Sequence, residues 1–164
     1  MHLRIGNGYD VHRLAPDLPL FLGGIQIPHT KGAVAHSDGD VLIHAICDAL
    51  LGAAALGDIG KHFPDNDVYY KGIDSKILLS RTAALLQAEG YRPVNIDAVI
   101  CLQEPKIAPY IPKMRETLCQ VLQLSENVLS IKATTTETLG FVGREEGIAA
   151  YVVCMIAALN LPFA

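Results

Sequence analysis

The chain has 164 residues, 51% of them hydrophobic and 18% charged, which predicts a single domain over residues 1–164 with a core that needs no disulfide or metal staples. Its 13 basic and 17 acidic side chains give a net charge of −4, which excludes the electrostatic footprint of a nucleic-acid or acidic-membrane binder. The charged fraction is below the roughly 25% of an average soluble chain and the mean hydropathy is +0.30, so part of the apolar surplus is expected in a subunit interface.

The first elements in chain order are strands at residues 3–5 and 21–27, joined by a Pro-, Asp- and Gly-rich segment carrying Asp10 and His12. Ser37-Asp-Gly-Asp40 opens a helical pattern over 41–56, with Ser37 or Asp38 as cap, Gly57 as stop, and His44 and Asp48 on one face. Residues 61–71 form a polar loop, 74–89 a second helix ending at Gly90, and 96–102 a strand. A third helix spans 112–123 with Pro at its start, followed by a strand at 128–133, a glycine-punctuated loop at 134–147 and a buried strand at 148–159. The alternation predicts an α+β fold, a two-layer sandwich of a mixed sheet with about three helices on one face.

Neither long apolar run makes a membrane span, since 41–56 contains His44 and Asp48 and 148–161 is short and cut by Asn160. The opening residues lack the pattern of a secretory signal, which leads us to expect a cytoplasmic location, or a plastid one after removal of a transit peptide. Cys47, Cys101, Cys119 and Cys154 form no CxxC pair and read as free thiols in a reducing compartment.

All six histidines fall between positions 2 and 62. In extended chain Asp10 and His12 point the same way, and His44 on a helix supplies a third donor. Two imidazoles and a carboxylate would leave a fourth tetrahedral position open, as in catalytic zinc sites; a hydrogen-bonded core histidine is the competing explanation. His36 and Ser37 at a helix start suit an anion, although a simple cap explains the same residues. Thr134-Thr135-Thr136-Glu137 with Arg144 suits a diphosphate and a hard divalent ion, or only a strand end and a turn. Asp58-Ile59-Gly60 and Phe63-Pro64-Asp65-Asn66-Asp67 suit polyol hydroxyls, or are solvated turns. Lys106 is a lone cation. The nucleotide fingerprints GxxxxGK[ST] and GxGxxG are absent.

Taken together, RIGNGYDVHRL, AHSDGDVLIHAICDALLGAAALGDIG, FPDND, QEPK and KATTTETLGFVGREEGIAA resemble the 2-C-methyl-D-erythritol 2,4-cyclodiphosphate synthases of the non-mevalonate isoprenoid pathway. The resemblance runs from Arg4 to Ala150, with the motifs in matching order and spacing. It implies a lyase that converts 4-diphosphocytidyl-2-C-methyl-D-erythritol 2-phosphate into the cyclic diphosphate and CMP, the substrate's 2-phosphate attacking its own β-phosphate.

Carried over residue by residue, the resemblance implies Asp10, His12 and His44 as zinc ligands, Glu137 at a second ion (magnesium or manganese), and His36 and Thr135 as transition-state stabilisers. It implies substrate contacts from Asp10, Val11, His12, His36, Ser37, Asp58, Ile59, Gly60, Phe63, Pro64, Asp65, Asn66 and Asp67. The cytidine end would be held by Leu102, Gln103, Glu104, Pro105, Lys106, Ile107 and Ala108, with Thr134, Thr135, Thr136, Glu137, Phe141 and Arg144 completing the set. It further implies a homotrimer with active sites between subunits, its sheets facing a central cavity that takes isoprenoid diphosphates in some members, near Arg144 and Glu146. Asn7 stands where some members have histidine, and Glu104 puts an acid in the nucleotide-holding stretch. Two alternatives remain open from the sequence: a metal-dependent phosphohydrolase, which would release a linear product, and a trimeric isoprenoid diphosphate-binding protein that needs no metal triad.

Overall fold

A computed structural model describes residues 3–159, so both ends of the expected domain, including His2, Asn160 and Pro162, lie outside the described residues. Its main sheet has five strands in the order β4-β1-β7-β5-β6: β1 (Leu3–Pro16), β4 (Lys31–Val34), β5 (Tyr91–Cys101), β6 (Leu129–Thr134) and β7 (Gly147–Ala158). All neighbours are antiparallel except β5 and β6. That pair is parallel because the chain between them returns through helix α4 (Ile111–Leu122), the crossover that parallel strands require. Helices α1 (Val41–Ala53) and α3 (Ser75–Ala88) pack with α4 into one core cluster with the sheet. The mixed α+β sandwich expected from the sequence is the architecture observed.

Several boundaries differ from expectation, each for a local reason. The first strand runs through Asp10 and His12 to Pro16, because β7 pairs with it continuously from Leu3 to Arg13. The expected strand at 21–27 is a hairpin, β2 (Leu20–Leu22) and β3 (Ile25–Ile27), turned by Gly23 and Gly24 at φ values of 61° and 78°, which glycine adopts without steric cost. A short helix, α2 (Ile59–His62), runs into the start of the expected 61–71 loop, and another, α5 (Gly140–Gly143), interrupts the 134–147 loop. Helix α1 ends at Ala53, before Gly57. Its cap is Asp40, not Ser37 or Asp38. The Asp40 carboxylate is fully buried and accepts the Ile43 amide at 3.0 Å and the Gly24 amide at 2.6 Å, which fastens the hairpin to the helix start.

Helix α1 is buried nearly all round, with the sheet on one side and α3 on the other. Its approach to β1 depends on two glycines. A Cβ on Gly8 would stand 2.0 Å from the Ala45 carbonyl oxygen, and one on Gly6 would stand 1.9 Å from that of Ala49. The opposite sheet face is open and apolar: Ile5, Tyr9, Val11, Tyr151 and Val153 are exposed there, and the Tyr9 and Tyr151 rings lie 4.6 Å apart. Among the described residues no helix is long and apolar enough to cross a membrane, and the four cysteines are unbridged, three buried and Cys101 partly so.

Replacing Gly8 with alanine forces α1 away from β1. We expect a loss of about 3 kcal/mol or more in urea unfolding, together with weaker metal binding, because His44 rides on that helix. A variant of parental stability would contradict the packing argument.

Candidate active site

Strand alternation turns Asp10 and His12 toward the helical layer, and α1 presents His44 to them across the glycine contact. Asp10 Oδ2, His12 Nε2 and His44 Nδ1 form a nearly equilateral triangle: 3.0 Å from His44 to Asp10, 3.0 Å from His44 to His12 and 3.2 Å from His12 to Asp10. Tetrahedral zinc bonds of 2.0–2.1 Å would set ligand atoms about 3.3 Å apart. The triangle therefore matches one face of such a coordination shell, and the three donors are the metal-capable group among the described residues. The core-histidine alternative does not explain a carboxylate and two imidazoles converging through single atoms.

The electrostatics of the metal-free cluster follow from its crowding. Burial alone would push the Asp10 carboxyl up, but its bond to His44 and the nearby imidazoles hold it below its ordinary value. Burial pushes His12 down. For His44 burial also acts downward, yet Asp10, with Asp40 and Asp38 behind it, outweighs this and raises the pKa. Both shifts have the same cause, the contact of the Asp10 carboxylate with the His44 imidazole, where negative charge faces a ring that can carry positive charge.

A cavity of about 450 Å³ opens at the triangle, within the size range of small-molecule sites. Asp10, His12, His36, Ser37 and His44 line it with Ile59, Gly60, Phe63 and Asp65. Ala35, Tyr70, Ile73 and Leu78 complete the wall; Ala35 opens the AHSDGD stretch without being a candidate itself, and no motif marks the other three. Asp58 caps α2 through the Lys61 amide at 2.9 Å, and Asp48 accepts the Ile59 amide at 2.7 Å, which fixes this wall to α1. The carbonyl of Asp67 lies 3.1 Å from His36 Nε2, drawing the 63–67 loop over the cavity mouth; Pro64 and Asn66 lie exposed in that loop.

The helix start is less suited to an anion than its residue types imply. The amides of Gly39, Asp40 and Ile43 already donate to Ser37, Asp38 and Asp40. Val11 points to the open sheet face, away from the cavity, leaving its backbone as the part available to a ligand there.

The remaining predicted site residues gather elsewhere. Leu102 donates its amide to the Thr134 carbonyl at 3.0 Å, and Gln103 Oε1 accepts the Thr138 amide at 3.3 Å. This joins the 102–108 segment to the 134–138 turn, where Thr135 Oγ1 donates to Glu137 at 2.9 Å. Glu104, Lys106 and Ala108 are exposed, Pro105 partly buried and Ile107 buried. Thr136 is bound to the Leu139 carbonyl at 2.7 Å, Phe141 lies in α5, and Arg144 pairs with Glu146 at 2.9 Å. None of these residues lines the cavity, whose wall comes entirely from residues between Asp10 and Leu78. Val11, Ala149, Cys101 and Thr134 form one row across β1, β7, β5 and β6. Three strand spacings, about 14 Å, therefore separate the two clusters along the sheet.

A family model described as the YgbB family matches residues 3–157. The chain belongs to the YgbB family. A 2-C-methyl-D-erythritol 2,4-cyclodiphosphate synthase from Porphyromonas gingivalis is 59% identical over 155 residues, 94% of this chain and 96% of that one. Among solved structures, the bifunctional IspDF from Campylobacter jejuni is similar at 42% identity and a TM-score of 0.92 over 95% of this chain, which spans 42% of that longer protein. IspF of Plasmodium falciparum, solved as a CDP complex, is 32% identical with a TM-score of 0.85, covering 97% and 98% of the two chains. Membership of the YgbB family agrees with the resemblance drawn from the motifs.

Because a divalent ion competes with protons for the His12 and His44 nitrogens, metal affinity should rise with pH through the histidine range. Between about pH 5.5 and about pH 7.5 we expect at least a roughly tenfold gain in a chelator-competition titration. A flat profile would contradict proton displacement from this cluster.

Proposed function

We propose that the chain, acting as one domain, converts 4-diphosphocytidyl-2-C-methyl-D-erythritol 2-phosphate into 2-C-methyl-D-erythritol 2,4-cyclodiphosphate and CMP. One observation carries this reading: the donor triangle of Asp10, His12 and His44 lines a cavity, in a family member 59% identical to a named cyclodiphosphate synthase. An oxygen of the substrate's 2-phosphate attacks the β-phosphorus. The bond from that phosphorus to the bridging oxygen breaks, and the α-phosphate departs with cytidine as CMP. The nucleophile belongs to the substrate, so the protein's task is placement and charge stabilisation.

Asp10, His12 and His44 would hold zinc, and Glu137 a magnesium or manganese ion; bound there, the ions supply Lewis-acid neutralisation of phosphoryl charge. His36 and Thr135 stabilise charge that develops on phosphoryl oxygens. Ser37, Asp58, Ile59, Gly60 and the 63–67 loop bind the methylerythritol end. The 102–108 segment receives cytidine, in keeping with the CDP complex of the Plasmodium relative, and Lys106 and Arg144 add positive charge.

The separation of the two clusters supports a homotrimer in which the triad of one subunit faces the Thr134–Glu137 turn of the next. The exposed apolar face of the sheet, with Ile5 at 69% and Val153 at 53% of full exposure, is the surface such an assembly would bury.

The test is an assay of purified protein with the cytidyl substrate, with and without chelator. The expected result is CMP and cyclic product in equal amounts, both lost on chelation. A linear product incorporating solvent oxygen would replace this reading with hydrolysis, and full CMP release from metal-free protein would sink the mechanism. His44→Ala should abolish zinc uptake and turnover while leaving the oligomer intact by light scattering. Glu137→Gln should shift the magnesium dependence of turnover more than the zinc content, and an unchanged magnesium titration would count against its role.

A further inference from the structure

We infer that Ser75, with Asp38 behind it, is the positioning residue for the metal ligand His44. The inference rests on the proposed reading of the triad as a metal centre.

Once His44 Nδ1 belongs to the donor triangle, its Nε2 must carry the ring's proton and needs an acceptor. Two hydroxyls lie in reach, Ser75 Oγ at 3.0 Å and Ser37 Oγ at 3.1 Å. They are not equivalent. Ser75 is fully buried at the first position of α3. Its hydroxyl donates to Asp38 Oδ1, and its amide donates to Asp38 Oδ2 at 2.9 Å. With its only hydroxyl proton committed to a carboxylate, Ser75 Oγ can meet His44 only as an acceptor. Ser37 accepts the Gly39 amide at 3.2 Å and lines the cavity, where Ser75 does not; its proton stays free to donate to a bound oxygen.

The series His44 Nε2–H, Ser75 Oγ–H, Asp38 carboxylate therefore has one direction. It fixes the tautomer that leaves Nδ1 free for a metal, sets the ring plane, and makes the imidazole a stronger donor. A carboxylate behind a ligating histidine does the same in known metal sites, where losing the partner costs 10–100-fold in affinity or activity. Here a serine relays the carboxylate. The arrangement also ties the metal ligand to α3, so that the helix start and the loop before α1 set the ring together.

The test is zinc affinity by chelator competition at about pH 7.5, with no substrate present, on the parent, Ser75→Ala, Ser75→Thr and Asp38→Asn. We expect Ser75→Ala and Asp38→Asn to bind zinc about 10–100-fold more weakly, and Ser75→Thr, which keeps the hydroxyl, to stay within about threefold of the parent. Ser75→Ala within threefold of the parent, or Ser75→Thr no better than Ser75→Ala, overturns the proposal; an unaffected Asp38→Asn removes Asp38 from it. Failure here is distinct from failure of the proposed reaction: a parent that binds zinc in this pattern yet forms no CMP refutes the cyclisation and leaves the role of Ser75 intact.

Discussion

The close contact of α1 with β1 is the constraint on which the site depends. A strand and a helix normally hold their backbones apart by the side chains between them, but Gly6 and Gly8 leave no such spacer, and the carbonyls of Ala45 and Ala49 occupy the room a Cβ would need. One step farther along the strand the glycines give way to Asp10, and then to His12. The helix, already held close, carries His44 into the plane of both. The triangle of 3.0–3.2 Å edges is thus a consequence of backbone packing two and four residues away, not of flexible side chains reaching for one another.

That rigidity has an electrostatic counterpart. Bringing a carboxylate and two imidazoles out of water is unfavourable unless the charges compensate. Here the contact between Asp10 and His44 compensates in part, lowering the Asp10 pKa and raising that of His44. A divalent ion would satisfy the same lone pairs with more charge, and the donor atoms already stand close to the spacing of a tetrahedral shell. Asp40 has a different role in the same region. Its buried carboxyl, pushed up by desolvation and held partly in check by the Gly24 and Ile43 amides, fixes the start of the helix that carries His44.

The legible part of the site was the part encoded locally. Asp10 and His12 are two apart in extended chain, and His44 sits on a helix whose apolar run is plain in the sequence, so alternation and helical period offer the three as donors, while their convergence depends on the packing of α1 against β1. Ser75 was not legible, because it lies 31 residues from His44 at a helix start that reads as ordinary. Nor was the choice of Asp40 over Ser37 and Asp38 as the cap, since three neighbouring residues of capping type differ only in what the fold sets beside them. The apolar pattern continues through Gly23 and Gly24 and so predicts one strand over 21–27; the left-handed φ values of these glycines divide it into the hairpin Leu20–Ile27. Of the fold, the three long helices and the strands β5, β6 and β7 are legible from the apolar pattern, while most of β1, all of β4 and the short helices α2 and α5, held by tertiary contacts, are not.

The two halves of the chain's chemistry meet the sheet at the same level but on different strands. One lies at β1 beside the helical layer, the other beyond the ends of β5 and β6. Within a subunit the strand spacing prevents them from gripping one diphosphate, and no change in side-chain rotamer closes three strands of distance. In the proposed trimer a second copy would turn its β5–β6 end toward the first copy's cavity and so bring both clusters to one diphosphate. The open apolar face, continuous with that end through Val11 and Cys101, gives a reason for copies to associate that is independent of the substrate. The proposed trimer therefore answers two separate physical demands, one of solvation and one of reach. It also accounts for how a chain of net charge −4 can hold a polyanion, since metal ions and donors from two subunits would concentrate positive field where neither subunit has it alone.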